Sequence, residues 1–193
     1  MCRHLIPRIF SPTGITPAQM KRSQPIVITG FMGCGKSKVA RELARRLDTL
    51  MIDLDDRITT QVGRTPAELI TQEGEPAFRT IETNSLRELL QTGVAGVIAL
   101  GGGAWIESAN RDLIDEYDCV SVWLDVPFDV CWERISASTD DRPLGKSKIE
   151  AEARYNLRKP IYALAAIHIA VDAHENIDDL VSRIERRSAS IRG

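Results

Sequence analysis

Residues 25–37 read PIVITGFMGCGKS, and the architecture of the chain can be worked out from this stretch. The apolar and β-branched residues 25–29 predict a buried strand. Residues 36–47 carry apolar side chains at four-residue spacing, which predicts a helix. A Gly-x-x-x-x-Gly-Lys-Ser turn between a strand and a helix is typical of a phosphate-binding loop, where backbone N–H groups and the helix N-terminus face phosphate oxygens. The sequence therefore predicts binding of a nucleoside triphosphate.

Beyond this stretch, apolar runs alternate with amphipathic segments. Further strands are predicted at 50–52, 94–100, 119–124 and 167–171, and helices at 65–70, 76–91, 108–116, 127–135, 150–165 and 177–187. Continuous apolar strands separated by helices indicate a parallel sheet covered on both faces. We therefore expect a three-layer α/β fold with a five-stranded parallel sheet flanked by helices.

The length of 193 residues suits one domain. Residues 1–24 contain basic residues and prolines but no Asp or Glu, and we expect an irregular N-terminal extension there. Residues 25–193 then form the phosphate-binding domain. Within it, the polar segment 136–148 contains Pro143 and Gly145 and suits a mobile lid loop.

Composition narrows the range of partners. The formal net charge is −2, with a pI near 6.0, so no basic face for nucleic acid is expected. No apolar run reaches the length needed to cross a bilayer, so a membrane partner is not expected either. The four cysteines have neither disulfide-type nor metal-type spacing, which predicts reduced thiols in a cytoplasmic protein.

The phosphate loop supplies the nucleotide ligands. Lys36 can reach the β- and γ-phosphates of ATP, and Ser37 can ligate Mg²⁺. We interpret Cys34 as a tolerated residue at a variable loop position. The expected nucleotide contacts within this segment are Met32, Gly33, Cys34, Gly35, Lys36, Ser37 and Lys38.

Two carboxylates follow the predicted strand 50–52. If the strand continued through them, Asp53 and Asp55 would face the same side, with Cα atoms roughly 6.6 Å apart. Ligands of open α/β sheets sit beyond the carboxyl ends of the strands, where one acid could hold Mg²⁺ and the other could accept a proton. Asp is also common in solvated turns. The phosphate loop one strand earlier favours the functional interpretation.

Three glycines and four arginines complete the candidate residues. The glycine triplet, Gly101–Gly103, follows the predicted strand 94–100 and permits close approach of a ligand. Arginine binds carboxylate and phosphate bidentately. The candidates are Arg79, Arg134, Arg142 and Arg158. Spacing alone does not decide among them.

Taken in order, these motifs resemble the shikimate kinase family of phosphate-loop enzymes, which is related to the nucleoside monophosphate kinases. The resemblance extends from about residue 26 to 171. It rests on GFMGCGKS at 30–37, DLDDRI at 53–58, GE at 74–75, FR at 78–79, LGGGA at 100–104, RPL at 142–144 and Arg158. It implies a monomeric enzyme that phosphorylates the 3-hydroxyl of shikimate with ATP and Mg²⁺.

The resemblance also implies roles for the acids and the loop. Lys36 would stabilise the transferred γ-phosphoryl group, and Ser37 would ligate Mg²⁺. Asp53 would hold Mg²⁺ through its water shell. Asp55 would bind the substrate hydroxyls and take the reacting proton.

Roles for the arginines and glycines follow in the same way. Arg79 and Arg158 would clamp the shikimate carboxylate, with the backbone of Gly101, Gly102 and Gly103 against the ring. Arg142 would be the catalytic lid arginine on the ATP phosphates, and Arg134 would lie near adenine.

The chain departs from the family pattern at four positions. Lys38 stands where Thr is usual, Ile70 where Phe is common, Trp105 where a smaller apolar residue is common, and Gly145 where a second Leu is usual.

Two alternatives remain open. A related small-molecule kinase, such as a gluconate kinase, is disfavoured by the Asp53–Asp55 pair and the glycine triplet. A non-catalytic module that binds ATP and a ligand is disfavoured by the intact Lys36, Asp53, Asp55 and Arg142.

Overall fold

A computed structural model of the chain describes residues 24–137, 147–172 and 175–192. Residues 1–23, Arg142 and Gly145 lie outside the described residues, as do residues 138–146 of the expected lid. The N-terminal extension and the lid therefore stay predictions.

Five strands and eight α-helices are described, with one short 3-10 helix. The strands are β1 (Ile26–Thr29), β2 (Met51–Asp53), β3 (Val97–Ala99), β4 (Val120–Asp125) and β5 (Ile167–Ala170). The α-helices are α1 (Lys36–Arg46), α2 (Leu54–Val62), α3 (Pro66–Glu73), α4 (Glu75–Thr92), α5 (Ser108–Glu116), α6 (Phe128–Ala137), α7 (Lys148–Tyr162) and α8 (Ile177–Arg192). The 3-10 helix is Ala104–Ile106.

The strands form one parallel sheet in the order β2-β3-β1-β4-β5. In the centre, Val27 of β1 lies opposite Ile98 of β3 and Ser121 of β4. Helices flank this sheet, so the expected fold class is confirmed. Because all strands run the same way, the phosphate loop, the Asp53–Asp55 segment and the glycine triplet meet at one edge of the sheet.

The two outer strands are less covered than expected. Every residue of the central strand β1 is buried, whereas β5 alternates buried and exposed residues and β2 is half-buried. Edge strands have a neighbour on one side only, so flanking helices cover them less completely. The expectation of coverage on both faces holds for the centre of the sheet and is wrong at its edges.

The extended geometry considered for the Asp53–Asp55 segment is not observed. The chain does not stay extended there, because helix α2, absent from the expected elements, begins at Leu54. Asp53 is its N-cap, and its side chain accepts a hydrogen bond from the Asp55 N–H at 3.1 Å. An Asp at this position stabilises the first helical turn. The two carboxylates are therefore placed by a helix cap, not by strand alternation.

Other differences concern boundaries. Strand β3 begins at Val97, three residues later than expected, and helix α7 begins at Lys148 and ends at Tyr162. Pro160 lies in the last turn of α7, where its missing N–H leaves the Asn156 carbonyl without its usual helical donor.

Candidate active site

The phosphate loop connects β1 to α1 through glycines in unusual conformations. Gly33 and Gly35 have φ values of 77° and 93°, which L side chains rarely adopt. A Cβ atom on Gly33 would lie 2.6 Å from the backbone oxygen of Cys131, and real Cβ atoms essentially never approach so closely. Glycine is therefore required here by the backbone and by the packing of α6 beneath the loop.

Lys36, the first residue of α1, is buried and turned back over the loop. Its Nζ donates hydrogen bonds to the carbonyl oxygens of Gly30 at 3.1 Å and Phe31 at 3.0 Å. These contacts satisfy the ammonium group and hold it at the centre of the anion-binding turn.

Ser37 and Asp53 bring the ends of the loop and of β2 together. Ser37 Oγ donates to Asp53 Oδ2 at 2.5 Å. A hydroxyl and a carboxylate are hard oxygen donors, the type that Mg²⁺ prefers alongside water and phosphate oxygens. The donor set expected for Mg²⁺ is thus assembled at this point, and its residues fit the ion.

Asp55 lies at the N-terminus of α2, close to Asp53. Burial, followed by the neighbouring Asp53 carboxylate, raises the pKa of Asp55 to about 6, against the lowering effect of Lys36 and Arg79. A carboxyl group with a raised pKa is a stronger base than a solvated Asp, which suits it to accept a proton.

The glycine triplet presents a polarised backbone. Its first and third carbonyls accept from the N–H groups of Ala104 at 3.1 Å and Ile106 at 3.0 Å. Its middle carbonyl accepts from Arg158 Nη1 at 3.2 Å and from the Tyr162 hydroxyl. Among the residues that the structure describes, none accepts a hydrogen bond from the three N–H groups of Gly101–Gly103. These N–H groups are therefore available to donate hydrogen bonds to a bound anion.

Neighbouring side chains explain why these positions are glycine. A Cβ on the first glycine would lie 2.6 Å from Asp55 Oδ1, and one on the third would lie 2.2 Å from Arg79 Nη2. A Cβ on the middle glycine would lie 3.2 Å from the backbone nitrogen of Met32 in the phosphate loop. The triplet therefore lies between the candidate base, a candidate arginine and the nucleotide loop.

Arg79 is held by carboxylates on its own helix. Its Nη1 donates to Glu82 Oε2 at 2.8 Å and its Nη2 to Glu75 Oε1 at 2.7 Å. Its Nε lies 3.9 Å from Glu107 Oε1. These contacts fix the guanidinium group beside the glycine triplet, where a substrate carboxylate can reach it.

Glu82 is a site residue that the sequence analysis missed. It is fully buried, and burial raises its pKa to about 7 although Arg79 acts in the opposite direction. Its Oε1 has no hydrogen-bond partner within the described part of the chain and would lie 3.2 Å from a Cβ on Gly101. One sequence feature could have identified Glu82: it lies three residues after Arg79, on a helix face otherwise occupied by buried residues.

The remaining candidates lie around the nucleotide loop. Arg134 on α6 donates from Nη1 to the Gly33 carbonyl at 3.3 Å. Lys38 is exposed in the first turn of α1, which contains no acid. Arg134 thus lies against the phosphate loop, whereas Lys38 faces solvent.

Two of the departures from the family pattern have structural roles. Trp105 is buried, and its Nε1 donates to the Ile161 carbonyl of α7 at 2.9 Å. Ile70 is half-buried and packs against the core. Trp105 therefore ties the segment after the glycine triplet to the helix that carries Arg158 and Tyr162.

Tyr162 was also missed as a site residue. It lies four residues after Arg158 on α7, which places both on one helix face. That spacing was visible in the sequence, but the carbonyl that both side chains reach was not.

No helix within the described ranges is long and apolar enough to cross a membrane.

The sequence is similar to those of known proteins. Residues 32–188 match the family model described as shikimate kinase. A shikimate kinase of Ruegeria pomeroyi is 35% identical over 162 residues, covering 82% of each chain. One from Cereibacter sphaeroides is 36% identical over 177 residues, covering 90% of this chain and 85% of that protein.

The fold is also similar to those of solved kinase structures. The shikimate kinase of Acinetobacter baumannii in complex with shikimate matches with a TM-score of 0.81 and 30% identity, covering 91% of this chain and 99% of that one. A gluconokinase of Sinorhizobium meliloti matches with a TM-score of 0.59 and 17% identity, covering 88% of this chain and 93% of that one, a likeness of fold alone.

Proposed function

The chain belongs to the shikimate kinase family, and we propose that the residues at the carboxyl edge of its sheet transfer the γ-phosphoryl group of ATP to the 3-hydroxyl of shikimate. As a member of this family it is an ATP-using phosphotransferase that acts on shikimate. The residue-level proposal rests on one observation: the N–H groups of Gly101–Gly103 have no acceptor among the described residues, and the triplet lies between Asp55 and two arginines. A carboxylate and a hydroxyl on one small ring would meet complementary groups there.

On the nucleotide side, the loop from Met32 to Ser37 would surround the β- and γ-phosphates with backbone N–H groups. Lys36 would exchange its two carbonyl partners for phosphate oxygens and stay close to the charge that develops in the transition state. Arg134 would lie beside the nucleotide at the Gly33 edge of the loop. Lys38 would add a cation to the same helix turn.

Ser37 and Asp53 would hold Mg²⁺, Asp53 through a bound water. When bound, the ion neutralises charge on the β- and γ-phosphate oxygens. The contact between Ser37 Oγ and Asp53 supports this assignment because it gathers a hydroxyl and a carboxylate directly beside the phosphate loop.

On the acceptor side, Asp55 would bind the 3-hydroxyl and accept its proton as the phosphoryl group arrives. With its pKa raised to about 6, Asp55 is mostly ionised at neutral pH and can act as the base. Arg79 and Arg158 would bind the substrate carboxylate together with the N–H groups of the glycine triplet. Phosphoryl transfer depends mainly on such positioning and on charge stabilisation, and Arg142 would add a further cation on the phosphates.

The proposal includes a monomeric enzyme in the cytoplasm. All the groups invoked above belong to a single chain. The three cysteines among the described residues are free thiols, as is usual in a reducing compartment.

A coupled assay of ADP release tests the acceptor. Purified protein with MgATP is supplied with shikimate, with gluconate or with no acceptor. We expect rapid ADP release from MgATP when shikimate is the acceptor, but not with gluconate or without an acceptor. Turnover of gluconate without shikimate would favour the related-kinase alternative. Ligand binding without ADP release would favour the non-catalytic module.

The substitution Asp55→Asn tests the proposed base, with Asp56→Asn as a matched control on the same turn of α2. Asp56 is exposed, so its substitution is expected to leave turnover unchanged. Loss of a general base typically lowers rates by about 10²–10⁴-fold, so we expect kcat to fall by at least about 10²-fold in Asp55→Asn. ATP affinity, measured by calorimetry, should be retained. Equal turnover of the two variants would remove Asp55 from its role.

A further inference from the structure

Tyr162 reaches the same backbone atom as one of the two substrate arginines. Its hydroxyl donates to the Gly102 carbonyl, which also accepts from Arg158 Nη1 at 3.2 Å. The tyrosine ring is buried and stacks on Trp123, with ring centroids 6.2 Å apart and planes inclined by 23°. The guanidinium group of Arg158 is only half-buried. The carbonyl therefore has one partner that is packed in the core and one that is partly open to solvent.

The orientation of this carbonyl decides where the neighbouring N–H group points. The Gly102 carbonyl and the Gly103 N–H belong to one trans peptide unit, so they point in opposite directions. Since Tyr162 holds the carbonyl on the α7 side, the Gly103 N–H is turned away from α7. Arg79 lies against Gly103 on the side to which a side chain would project.

Arg158 has to change partners when a carboxylate arrives. A charge-assisted pair with a carboxylate is stronger than the present contact with a neutral carbonyl, which favours the exchange. If Arg158 were the only partner of the Gly102 carbonyl, its departure would leave an acceptor unpaired, at a cost in free energy. The Tyr162 hydroxyl keeps that acceptor satisfied throughout.

We propose that Tyr162 is a positioning residue for shikimate: it locks the middle carbonyl of the glycine triplet and so frees Arg158 for the substrate carboxylate. The inference rests on the proposed function, since it names a residue that prepares the same carboxylate site. Burial also raises the pKa of the Tyr162 hydroxyl well above its usual range. The hydroxyl therefore stays a donor at every pH at which the enzyme works.

The chain offers a matched control on the same helix. Tyr155 is also buried in α7, and its hydroxyl donates to a backbone carbonyl, that of Val126, at 3.1 Å. Tyr162→Phe and Tyr155→Phe therefore each remove one buried hydroxyl that bonds a backbone oxygen. Only the first removes it from the glycine triplet.

Two measurements distinguish a positioning role of Tyr162 from a purely structural one. They are steady-state kinetics with each substrate varied in turn and calorimetric titration with shikimate. For Tyr162→Phe we expect an increase of about tenfold in the KM and Kd of shikimate, the effect of one lost hydrogen bond. Its kcat and its KM for MgATP should stay within about twofold of the original values, a range that corresponds to less than one lost hydrogen bond. Tyr155→Phe should leave the shikimate constants unchanged, although both variants lose some thermal stability.

A double-mutant cycle with Arg158→Ala tests the connection between the two side chains. If Tyr162 acts by freeing Arg158, Tyr162→Phe should have little further effect on shikimate Kd once the arginine is gone. Equal shikimate constants for the two phenylalanine variants, or full additivity in the cycle, would overturn the proposal. Turnover of shikimate by the unsubstituted enzyme in the same assay tests the proposed function separately.

Discussion

The phosphate loop and the glycine triplet both present backbone N–H groups to an anion at the same edge of the sheet, but they contain glycine for different reasons. In the phosphate loop, Gly33 and Gly35 adopt positive φ angles that other residues rarely reach. In the triplet, Gly103 has an ordinary φ of −109°, but a side chain there would displace the guanidinium group of Arg79 beside it.

This difference teaches where specificity is encoded. A loop defined by its own backbone geometry recurs in unrelated proteins and reports only that phosphate is bound. A loop defined by the side chains around it reports which second substrate is bound, because those side chains form the site. Substitutions in the two segments should therefore affect different substrates, and the predictions below test that separation.

Gly33→Ala should have the largest effect. The new Cβ meets backbone, the Cys131 oxygen at 2.6 Å, which cannot move without shifting α6. With an unfavourable φ added, we expect a loss of about 2–4 kcal/mol in the free energy of unfolding and a severe loss of ATP binding. Thermal denaturation with and without MgATP measures both. An unchanged KM for MgATP would show that the loop tolerates a side chain there.

Gly103→Ala should act on the other substrate. The new Cβ meets Arg79 Nη2 at 2.2 Å, and a flexible guanidinium group can shift where backbone cannot. We expect the fold to survive, with the KM of shikimate raised about tenfold or more, because a displaced arginine no longer positions the carboxylate. As a control, the KM of MgATP should stay near its original value in Gly103→Ala, in contrast to Gly33→Ala. Equal effects on both substrates would contradict the separation.

Glu82→Gln tests the buried carboxyl beside the triplet through the pH dependence of stability. The folded-state pKa of Glu82, about 7, lies above its ordinary value of 4.5, so the folded protein holds this proton while the unfolded chain releases it. The original protein should therefore lose stability relative to Glu82→Gln as pH rises from about 4.5 to 7. At about 1.4 kcal/mol per pKa unit, the difference approaches roughly 3 kcal/mol.

Urea denaturation across this pH interval measures the effect, with Glu75→Gln as the control. Glu75 also binds Arg79 but is more exposed, with 43% of its side chain accessible. A pH-independent difference between the original protein and Glu82→Gln would show that the pKa of Glu82 is the same in the folded and the unfolded chain.

Lys38→Thr should have the smallest effect. Lys38 is exposed in the first turn of α1, where the helix dipole disfavours a cation unless an anion is bound nearby. We expect the KM of MgATP to change by less than about threefold and to become less sensitive to salt, since surface charges are screened. The KM of shikimate should not change. A salt dependence equal to that of the original protein would exclude contact of Lys38 with phosphate.

Much of the fold and about half of the site were accessible from the chain alone. Strand–helix alternation predicted the parallel sheet because strands and helices bury apolar residues with different periods. The phosphate loop was recognised because its requirements are local in sequence. The Asp53–Asp55 segment was located correctly, but its geometry was not, since an N-capping Asp and a solvated turn contain the same residue types.

The contacts around the glycine triplet were out of reach for a physical reason. Arg158 and Tyr162 meet the Gly102 carbonyl from 56 and 60 residues away, and spacing along a chain does not report such distances. In the sequence, Glu82 is an ordinary acidic residue of a helix, and only the fold shows that its carboxyl group is buried away from water. The residues of the chain thus specified the kind of fold and the nucleotide loop, because both follow from local backbone preferences and periodic burial. Only the packing of α2, α4 and α7 around the triplet decided which side chains surround it, because these are contacts between distant segments.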